Sequence, residues 1–315
     1  MKELKAHKDI VNNVPSVLII GYGWVGRFLG SYFKNAHYVD EDNKLKGVDG
    51  ALEKMAEGEK YDFAFVCVPT PMLDSGKCDT SIVENVVDKW KSKVNNFCIK
   101  STVQIGTCDY LKKKHGVRIC FSPEYLGETV GHPLVDSRKE TFIILGGDGG
   151  VTKRFAELWS LATNSYTKIY QVSSKTAELC KLMENSWIAT KVMFCNEFFG
   201  LAESIGIDWN ELREVWLADP RVSRSHTYVY RGNRGFSGKC LPKDINNLCW
   251  YFRNEVKYKA RLMETLLELN NNLRKKKGYK DSIPLIPVKK VKKASKVGRG
   301  VVAQAQTRTG VQKRG

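Results

Sequence analysis

One cysteine of this 315-residue chain stands in a setting that favours nucleophilic chemistry. Cys240 follows a glycine-rich run at 235–238, and Lys243 and Asp244 come within four residues after it. The glycines allow a ligand to approach the backbone closely, and a neighbouring cation favours the thiolate over the thiol. The alternative, a small buried apolar residue, suits three other cysteines better: Cys67, Cys98 and Cys195. We therefore predict that the thiol of Cys240 is a nucleophile that a substrate can approach.

A glycine-rich turn near the N-terminus is a second candidate site. The chain runs from an apolar segment at 17–20 into Gly21-x-Gly23-x-x-Gly26, in which Trp24 and Val25 fill the last two variable positions. In such a turn the first glycine permits a tight bend, the second lets the backbone approach a pyrophosphate, and the third permits close packing of helix on strand. Asp40 lies 19 residues after Gly21, where an acid accepts hydrogen bonds from ribose hydroxyls and repels a 2′-phosphate. A turn without a ligand is the alternative; the strand, the helix and the acid together predict binding of NAD rather than NADP.

The elements that would position this turn are predicted from apolar runs. These runs are continuous rather than alternating, as is typical of strands buried on both faces of a parallel sheet. They lie at 17–20, 63–68, 97–99, 118–121 and 142–145. A short helix at 51–57 and a helix at 79–94 separate strands of this set. The sequence thus predicts an α/β fold, a Rossmann-like doubly wound parallel sheet, in an NAD-binding domain of residues 1–172.

A second, helical domain is predicted for residues 173–274. Helical spacing continues over 175–206, 209–218 and 244–274, with almost no strand pattern between. This central domain carries the Cys240 loop. Apolar side chains recur along its first helix, namely Trp187, Ile188, Val192, Phe194, Phe198 and Phe199. Such a stripe is more typical of a core than of a dimer interface, and both interpretations remain open.

The basic excess of the chain is a property of its C-terminal tail. Lys plus Arg number 51 against 34 acids, but residues 274–315 alone hold 14 bases and one acid. The other residues hold 37 bases and 33 acids, which is close to balance. Residues 275–315 are predicted to be disordered, because they have too little apolar surface to offset the entropy of ordering. The tail either binds nucleic acid or another acidic surface by releasing counterions, or simply aids solubility.

Composition excludes several classes of protein. An apolar content of 42% rules out wholesale disorder, and no run approaches the roughly 18 uncharged apolar residues of a membrane span. The nine cysteines include no Cys-x-x-Cys pair, which argues against a disulfide framework and against a thiolate metal site. The N-terminus is too charged for a secretory leader. We expect a soluble cytoplasmic protein without a membrane partner or a metal.

The segment 235–244, Gly-Phe-Ser-Gly-Lys-Cys-Leu-Pro-Lys-Asp, closely resembles the nucleophile motif of the UDP-glucose/GDP-mannose dehydrogenase family. These enzymes oxidise the C6 alcohol of a nucleotide sugar to a carboxylate. Other segments similar to the family occur in the expected order, at 66–71, 100–103, 122–128, 181–185, 196–197 and 219–221. Together they span about 16–274. The resemblance, strongest to UDP-glucose 6-dehydrogenases, implies a nucleotide-sugar substrate, two NAD molecules used in turn, and a homodimer formed through the central helices.

The resemblance also implies catalytic roles. Cys240 would capture the intermediate aldehyde as a thiohemiacetal, whose oxidation gives a thioester. Lys181 would stabilise oxyanion charge, and Asn185, one helical turn later, would hold the same oxygen. Asp244 would orient a water or act with Lys181 in taking the proton of the alcohol. Ordinary alternatives are a surface charge for Lys181 and an N-cap of the final helix for Asp244.

Hydrolysis and ligand binding draw on further residues that match the family. Glu124 would be the base for thioester hydrolysis, with Thr102 positioning the water. Implied cofactor contacts beyond the glycine turn and Asp40 are Thr70, Thr102 and Glu128. Implied substrate contacts are Tyr125, Leu126, Gly127, Lys181, Asn185, Arg221 and Gly235. Of these, Arg221 matches an arginine that reaches the sugar site of a neighbouring subunit.

Three departures from the family pattern bear on function. The chain passes into its basic tail at Arg274, so we expect that the third, nucleotide-covering domain of the family is absent. The stretch 40–66 is short, and Ser237 stands where the family has glycine. A side chain at Ser237 would be strained if that position required a positive φ. Two hypotheses follow: an active dehydrogenase that uses Cys240, or a weakly active or inactive relative that serves as a scaffold and binds a larger assembly or nucleic acid through its tail.

Overall fold

The computed structural model describes residues 14–41, 48–52, 59–125 and 142–278. A seven-stranded sheet occupies the first half of the chain, in the order β2-β1-β3-β4-β5-β6-β7. Its strands are β1 (Val17–Ile20), β2 (His37–Val39), β3 (Tyr61–Val66), β4 (Val94–Ile99), β5 (Ile119–Phe121), β6 (Phe142–Gly147) and β7 (Lys168–Val172). Neighbouring strands are parallel except β5 and β6, which are antiparallel. The predicted α/β fold with a largely parallel, Rossmann-like sheet is confirmed.

Helices cover the sheet and build the second half of the chain. The sheet is flanked by α1 (Trp24–Tyr32), α2 (Ser81–Trp90), α3 (Thr107–His115) and α4 (Gly149–Ala162). The second half contains α5 (Ser174–Ser204), α6 (Trp209–Trp216), α7 (Leu241–Tyr251) and α8 (Arg261–Lys277). The predicted boundary near residue 172 falls between the end of β7 and the start of α5, where Ser173 caps the helix by accepting the N–H of Thr176. None of the helices in these four ranges is long and apolar enough to cross a bilayer.

Apolar side chains hold this arrangement together on both faces of the sheet. One core cluster joins Leu18, Val66 and Ile99 to α2 and α3, and another joins Ile19, Phe65 and Cys98 to α1 and α4. Each strand therefore contributes side chains to both clusters, which is why the central strands read as unbroken apolar runs. The long helix α5 packs against the sheet where Gly146 leaves no room for a side chain, because a Cβ there would lie 2.4 Å from Cβ of Ala177.

Three local predictions were wrong. Ala51, predicted to begin a helix, forms an isolated parallel bridge with Tyr38, and residues 53–58 lie outside the described ones. The helix predicted over 244–274 is two helices, α7 and α8. Between them a π-helical turn at Phe252–Val256 ends at Lys257, whose φ is 61°. A lysine in the left-handed region gives no sequence sign of a helix end, since glycine or asparagine normally marks it. Strand β7 was missed because it is an exposed edge strand.

Candidate active site

The glycine-rich turn connects β1 to α1 with the geometry that a pyrophosphate requires. Gly21 has a φ of 101°, and a Cβ on it would lie 2.5 Å from the carbonyl oxygen of Cys67. A Cβ on Gly26 would lie 2.0 Å from the carbonyl oxygen of Gly21. Gly23 differs, since nothing lies within 4 Å of its would-be Cβ, and as the N-cap residue of α1 it has no side chain with which to cap the helix. The helix N-terminus is thus open to an anion.

Asp40 lies at the end of β2 beside this turn. Its Oδ2 accepts the N–H of Tyr22 at 2.6 Å, within the turn itself. The N–H of Gly21 donates to the carbonyl oxygen of Val39, at 2.8 Å, which ties the turn to β2. The carboxylate therefore lies directly against the turn, at the position where the sequence predicts an acid that accepts from a ribose hydroxyl.

Replacing Asp40 by asparagine tests the predicted cofactor preference. We expect Asp40→Asn to weaken NAD binding about 10-fold, because a charged acceptor for the ribose is lost, and to narrow the preference for NAD over NADP. Asp88→Asn, an exposed change on α2, is the control. Isothermal titration with both dinucleotides measures the effect, and an unchanged NAD/NADP affinity ratio would contradict it.

Thr70 and Thr102 lie together at the ends of the neighbouring strands β3 and β4. The Oγ1 of Thr70 donates to the carbonyl oxygen of Thr102 at 2.7 Å. Ser101 Oγ donates to the carbonyl oxygen of Val68 at 2.6 Å, which adds a second tie between the two loops. Strands β2, β1, β3 and β4 are consecutive in the sheet, so Asp40, the glycine turn and both threonines share one edge. The carboxyl edge of such a sheet is where nucleotides bind.

A chain of polar side chains joins α5 to α7. Lys181 Nζ lies 3.5 Å from Oδ1 of Asn185, and Nδ2 of Asn185 donates to Oδ2 of Asp244. Lys243 Nζ donates to the other oxygen of Asp244. Asp244 is 1% exposed, so its charge is compensated almost entirely by these side chains. Residues about 60 positions apart in sequence therefore form one hydrogen-bonded group.

The two lysines of this group differ in proton affinity. Burial lowers the pKa of Lys181, an effect that the charges of Asp244, Glu124 and Cys240 oppose only in part. Burial acts in the same direction on Lys243, but the attraction of Asp244 and Cys78 outweighs it and leaves the pKa of Lys243 raised. Lys243 therefore keeps its charge, whereas Lys181 releases its proton more readily.

Cys240 is the N-cap residue of α7 and is exposed. Its carbonyl oxygen accepts the N–H of Asp244 at 2.9 Å. The thiol lies close enough to Lys181 and Lys243 for its charge to act on both ammonium groups. A helix N-terminus and nearby cations both favour a negative charge at this position. Asp244 lies inside the first turn, so the alternative that it is an N-cap is wrong.

Glu124 approaches the same group from the end of β5. Its backbone carbonyl accepts from Lys181 Nζ, and the Lys181 ammonium lies 5.1 Å from the ring centre of Tyr125. Oε2 of Glu124 lies 3.5 Å from Nζ of Lys100, which also donates to Ser122 Oγ at 3.3 Å. Lys100 is 3% exposed and had no role in the sequence interpretation. Its position directly after a buried strand could have indicated that Lys100 belongs to the site.

The loop before Cys240 is held by α5 and α8. Asn270, which is fully buried, accepts the N–H of Phe236 at 2.8 Å and donates to its carbonyl oxygen at 3.0 Å. Asn196 Oδ1 accepts the N–H of Gly235 at 3.1 Å and Nε of Arg234 at 2.7 Å. Asn270 was not predicted, and Asn196 was noted only within a family-like segment at 196–197, because two helices distant in sequence bring these asparagines to the loop.

The concern about Ser237 was wrong. Positive φ angles in this loop belong to Gly235, at 79°, and Gly238, at 85°. Among the described residues other than glycine, positive φ occurs only at His226 and Lys257. Ser237 therefore carries its side chain without backbone strain. Gly235, predicted as a substrate contact, lies against Asn270, whose Oδ1 would be 2.4 Å from a Cβ on that glycine.

Gly235→Ala tests how much this packing contributes to the stability of the loop before Cys240. We expect a loss of at least about 1 kcal/mol in the free energy of unfolding, because the new methyl group meets Asn270 in a left-handed backbone. Gly232→Ala is a matched control in the same loop, since its would-be Cβ has nothing within 4 Å. Urea unfolding of both variants measures the difference. Equal stability of the two variants would contradict the expectation.

Comparison with known proteins identifies the family. The sequence model of the UDP-glucose/GDP-mannose dehydrogenase NAD-binding domain matches residues 36–162, and that of the central domain of the same family matches 175–272. The chain belongs to this family. UDP-N-acetyl-D-mannosamine dehydrogenase of Methanocaldococcus jannaschii is 31% identical over 267 residues, 81% of this chain and 56% of the relative. UDP-glucose 6-dehydrogenase of Rickettsia bellii is 30% identical over 77% of this chain and 55% of the relative.

Solved structures support the dehydrogenase fold. A UDP-glucose dehydrogenase from Pyrobaculum islandicum aligns with a TM-score of 0.68 at 22% identity, over 84% of this chain and 69% of that chain. This likeness concerns the fold alone. The chain spans about half the length of the curated dehydrogenases it matches. The family assignment establishes an NAD-binding domain, in agreement with the open glycine turn.

Some residues implied by the dehydrogenase motif do not join the group around Cys240. Arg221 is 87% exposed in its side chain and pairs with Asp219 through two nitrogens. It contacts neither Lys181 nor Asp244 by any hydrogen bond among the described residues. Leu126, Gly127 and Glu128 lie outside the described residues. No group of three or more His, Cys, Asp or Glu able to hold a metal ion occurs within the described part of the chain.

Proposed function

We propose that the protein oxidises the C6 alcohol of a nucleotide sugar to a carboxylate, with NAD as hydride acceptor and Cys240 as nucleophile. The observation that carries this proposal is the exposed Cys240 beside the buried group formed by Lys181, Asn185 and Asp244. A scaffold has no need for two partly buried lysines around one buried aspartate, since charges that are withdrawn from water are costly.

NAD fits the glycine turn. The uncapped N-terminus of α1 and the bare Gly23 suit a pyrophosphate, and Asp40 suits a ribose. Bound there, NAD would supply the hydride acceptor, one molecule for each of the two hydrides lost between alcohol and acid. The protein's own task is to bind both ligands, move the protons and hold the intermediate.

The first oxidation removes a proton from the C6 hydroxyl and a hydride from C6. Lys181, whose pKa is lowered by burial, takes the proton with Asp244 as its partner through Asn185. The thiolate of Cys240 then adds to the aldehyde carbon, and the oxygen so formed is stabilised by the Lys181 ammonium. The amide of Asn185 orients Asp244 in this arrangement, in addition to the contact with the oxyanion that the family motif implies.

Lys181 protonates the oxygen formed in this addition to give the thiohemiacetal. In the second oxidation the hydroxyl proton returns to Lys181, the remaining C6 hydride goes to the hydride acceptor, and a thioester is formed. A water then attacks the thioester carbonyl, its proton passes to Glu124, and the sulfur of Cys240 leaves as thiolate. Lys100 lies 3.5 Å from Glu124 and compensates the buried carboxylate. Thr102, at the adjacent loop, positions the water.

UDP-glucose is the substrate that we propose, and UDP-glucuronate the product. Curated relatives at about 30% identity include enzymes named for UDP-glucose and for UDP-N-acetyl-D-mannosamine. The purified protein should therefore be incubated with NAD and, separately, UDP-glucose, UDP-N-acetylmannosamine and GDP-mannose. We expect two NADH for each UDP-glucose consumed. If only one of the other two sugars is turned over, that sugar replaces UDP-glucose as the proposed substrate. If none of the three is turned over while NAD is bound, the proposed dehydrogenase activity is rejected.

A homodimer is proposed on the exposed face of α5. Apolar side chains more than 40% exposed recur there at Met183, Trp187, Phe194, Phe198 and Leu201, and Ile205 directly follows the helix, whereas Phe199 is buried. A second copy of the chain would cover this face, and Arg221 of each subunit would then reach the sugar site of the other subunit.

Mixing the Arg221→Ala and Cys240→Ser variants tests this arrangement. Mixed dimers hold one intact site, so about a quarter of wild-type activity should return; no recovery after subunit exchange would reject the shared site.

A scaffold role remains the second candidate because of the charge of residues 274–315, 14 bases against one acid. Deleting 275–315 should then abolish binding to a mixed-sequence RNA or DNA duplex in an electrophoretic shift assay. Lost nucleic-acid binding together with absent turnover would favour the scaffold. If the truncated protein binds nucleic acid as well as the full chain does, the tail is not the binding element and the scaffold proposal loses its support.

A further inference from the structure

One stripe of α5 touches three separate segments of the candidate site. Side chains three or four positions apart on a helix share a face, and Glu178, Lys181 and Asn185 follow that spacing. Asn185 bonds Asp244 at the start of α7, and Lys181 bonds the backbone of Glu124 after β5. Glu178 makes the third contact, with the segment between β4 and α3.

The Glu178 carboxylate holds the first turn of α3. Its Oε2 accepts the N–H of Gly106 at 2.5 Å, and its Oε1 accepts the N–H of Cys108 at 2.9 Å. Gly106 is the N-cap of α3, has a φ of 90°, and offers no side chain to cap the helix. A helix in another part of the chain thus supplies the acceptors that α3 lacks. Glu178 is 1% exposed, so water does not replace it.

This first turn directly continues the loop that contains Thr102. Gly106 follows Thr102 by four residues, and the Thr102 carbonyl oxygen is held by Thr70 Oγ1 at the other end of that short segment. The loop is therefore fixed at one end to the strand edge and at the other to α5. Any shift of α3 relative to Glu178 would move Thr102 relative to Lys181.

We propose that Glu178 is a positioning residue that fixes the Thr102 loop against the face of α5 bearing Lys181 and Asn185. This inference rests on the proposed function for its consequence in catalysis, whereas the contact itself stands on geometry. The residue touches no substrate or reacting atom; it acts through the backbone of Gly106 and Cys108.

The environment of Glu178 is consistent with a carboxylate that is retained for the two backbone N–H groups it binds. Burial raises the pKa of Glu178 to about 7, against the lowering effect of the N–H groups of Cys108 and Gly106. Asp109, also on α3, adds to the raising effect, and Lys175 of α5 lies 4.0 Å from Asp109. A leucine of similar volume would avoid this burial cost, yet would leave the two N–H groups without acceptors.

Glu178→Gln is the test. Glutamine keeps the size but presents an N–H₂ group to one of the two backbone donors, so one hydrogen bond is lost. We expect amide hydrogen exchange at Gly106 and Cys108 to accelerate about 10-fold, the turnover number of the folded protein to fall about 10-fold, and the KM for the sugar to stay within about twofold. Glu157→Gln, an exposed change on α4, should leave all three values unchanged.

Other outcomes separate this proposal from the proposed function. Unchanged exchange at Gly106 and Cys108, or faster exchange with an unchanged turnover number, would overturn the positioning role. If the wild type turns over no sugar, the proposed function fails. The positioning role of Glu178 is then tested by NAD affinity and by amide hydrogen exchange at Gly106 and Cys108. We expect the NAD affinity of Glu178→Gln to be about threefold weaker. Glu178→Asp keeps the charge but is one methylene shorter, and should show the same changes at reduced size if the glutamine variant fails to fold.

Discussion

Cys240→Ser should abolish the proposed sustained oxidation of the nucleotide sugar, lowering the rate of acid formation by at least about 10³-fold, while NAD affinity should stay within about twofold. A serine hydroxyl at this position is not ionised at neutral pH and cannot replace a thiolate as the group that captures the aldehyde. Cofactor binding is spared because the glycine turn and Asp40 lie on the sheet, whereas Cys240 lies at the start of α7. Stopped-flow NADH absorbance and product chromatography measure the two quantities.

Cys195→Ser is the matched control for this change. Burial raises the pKa of the Cys195 thiol to about 11, so it carries almost no thiolate at neutral pH. It packs with Phe199 and Trp209, away from the Lys181 group. Alkylation adds an independent measurement, since iodoacetamide should label the exposed Cys240 first and inactivate the enzyme in step with that label. Full activity of Cys240→Ser would remove the covalent step from the mechanism.

Lys181→Met should lower the turnover number by on the order of 10²–10³ at saturating substrate. The partly buried ammonium lies among Glu124, Asn185 and Asp244, where it would stabilise negative charge on the substrate oxygen. Methionine keeps the length and the apolar contacts of the side chain but has no proton to give or take. The effect should fall mainly on the turnover number, because the charge develops in the transition state.

Lys175→Met on the same helix is the control for Lys181. Lys175 is 63% exposed in its side chain, and its Nζ lies 4.0 Å from Oδ2 of Asp109. An exposed pair at that distance contributes little, so we expect turnover within twofold of wild type. Equal losses in the two variants would show that α5 is sensitive to any substitution and would withdraw the specific role of Lys181.

The central strands and the glycine turn could be predicted because their causes are local. Ile19, Phe65 and Cys98 lie on strands buried on both faces, so their runs are apolar without interruption. Gly21 and Gly26 are required by a positive φ and a close backbone contact within the turn itself. The motif at 235–244 likewise marks a loop of unusual geometry, although the positions that need glycine proved to be 235 and 238.

The break between α7 and α8 and the edge strand β7 were missed for the opposite reason. Lys257 takes a left-handed backbone without being glycine, and β7 has no fully buried residue to make a pattern. In neither case does the residue type record the conformation, since neighbouring elements in the fold impose it.

By itself the sequence determined the class of chemistry, through a thiol in a glycine-rich loop and a dinucleotide turn with its acid. It also indicated two domains, one of alternating strands and helices and one of helices. Only the tertiary structure decided how the reactive group is supported. Lys100 behind Glu124, Asn270 behind Phe236, and Glu178 beneath α3 all act on residues at least 24 positions away in sequence. Buried polar groups must find partners wherever the packed chain brings them, and no local pattern of residues records that pairing.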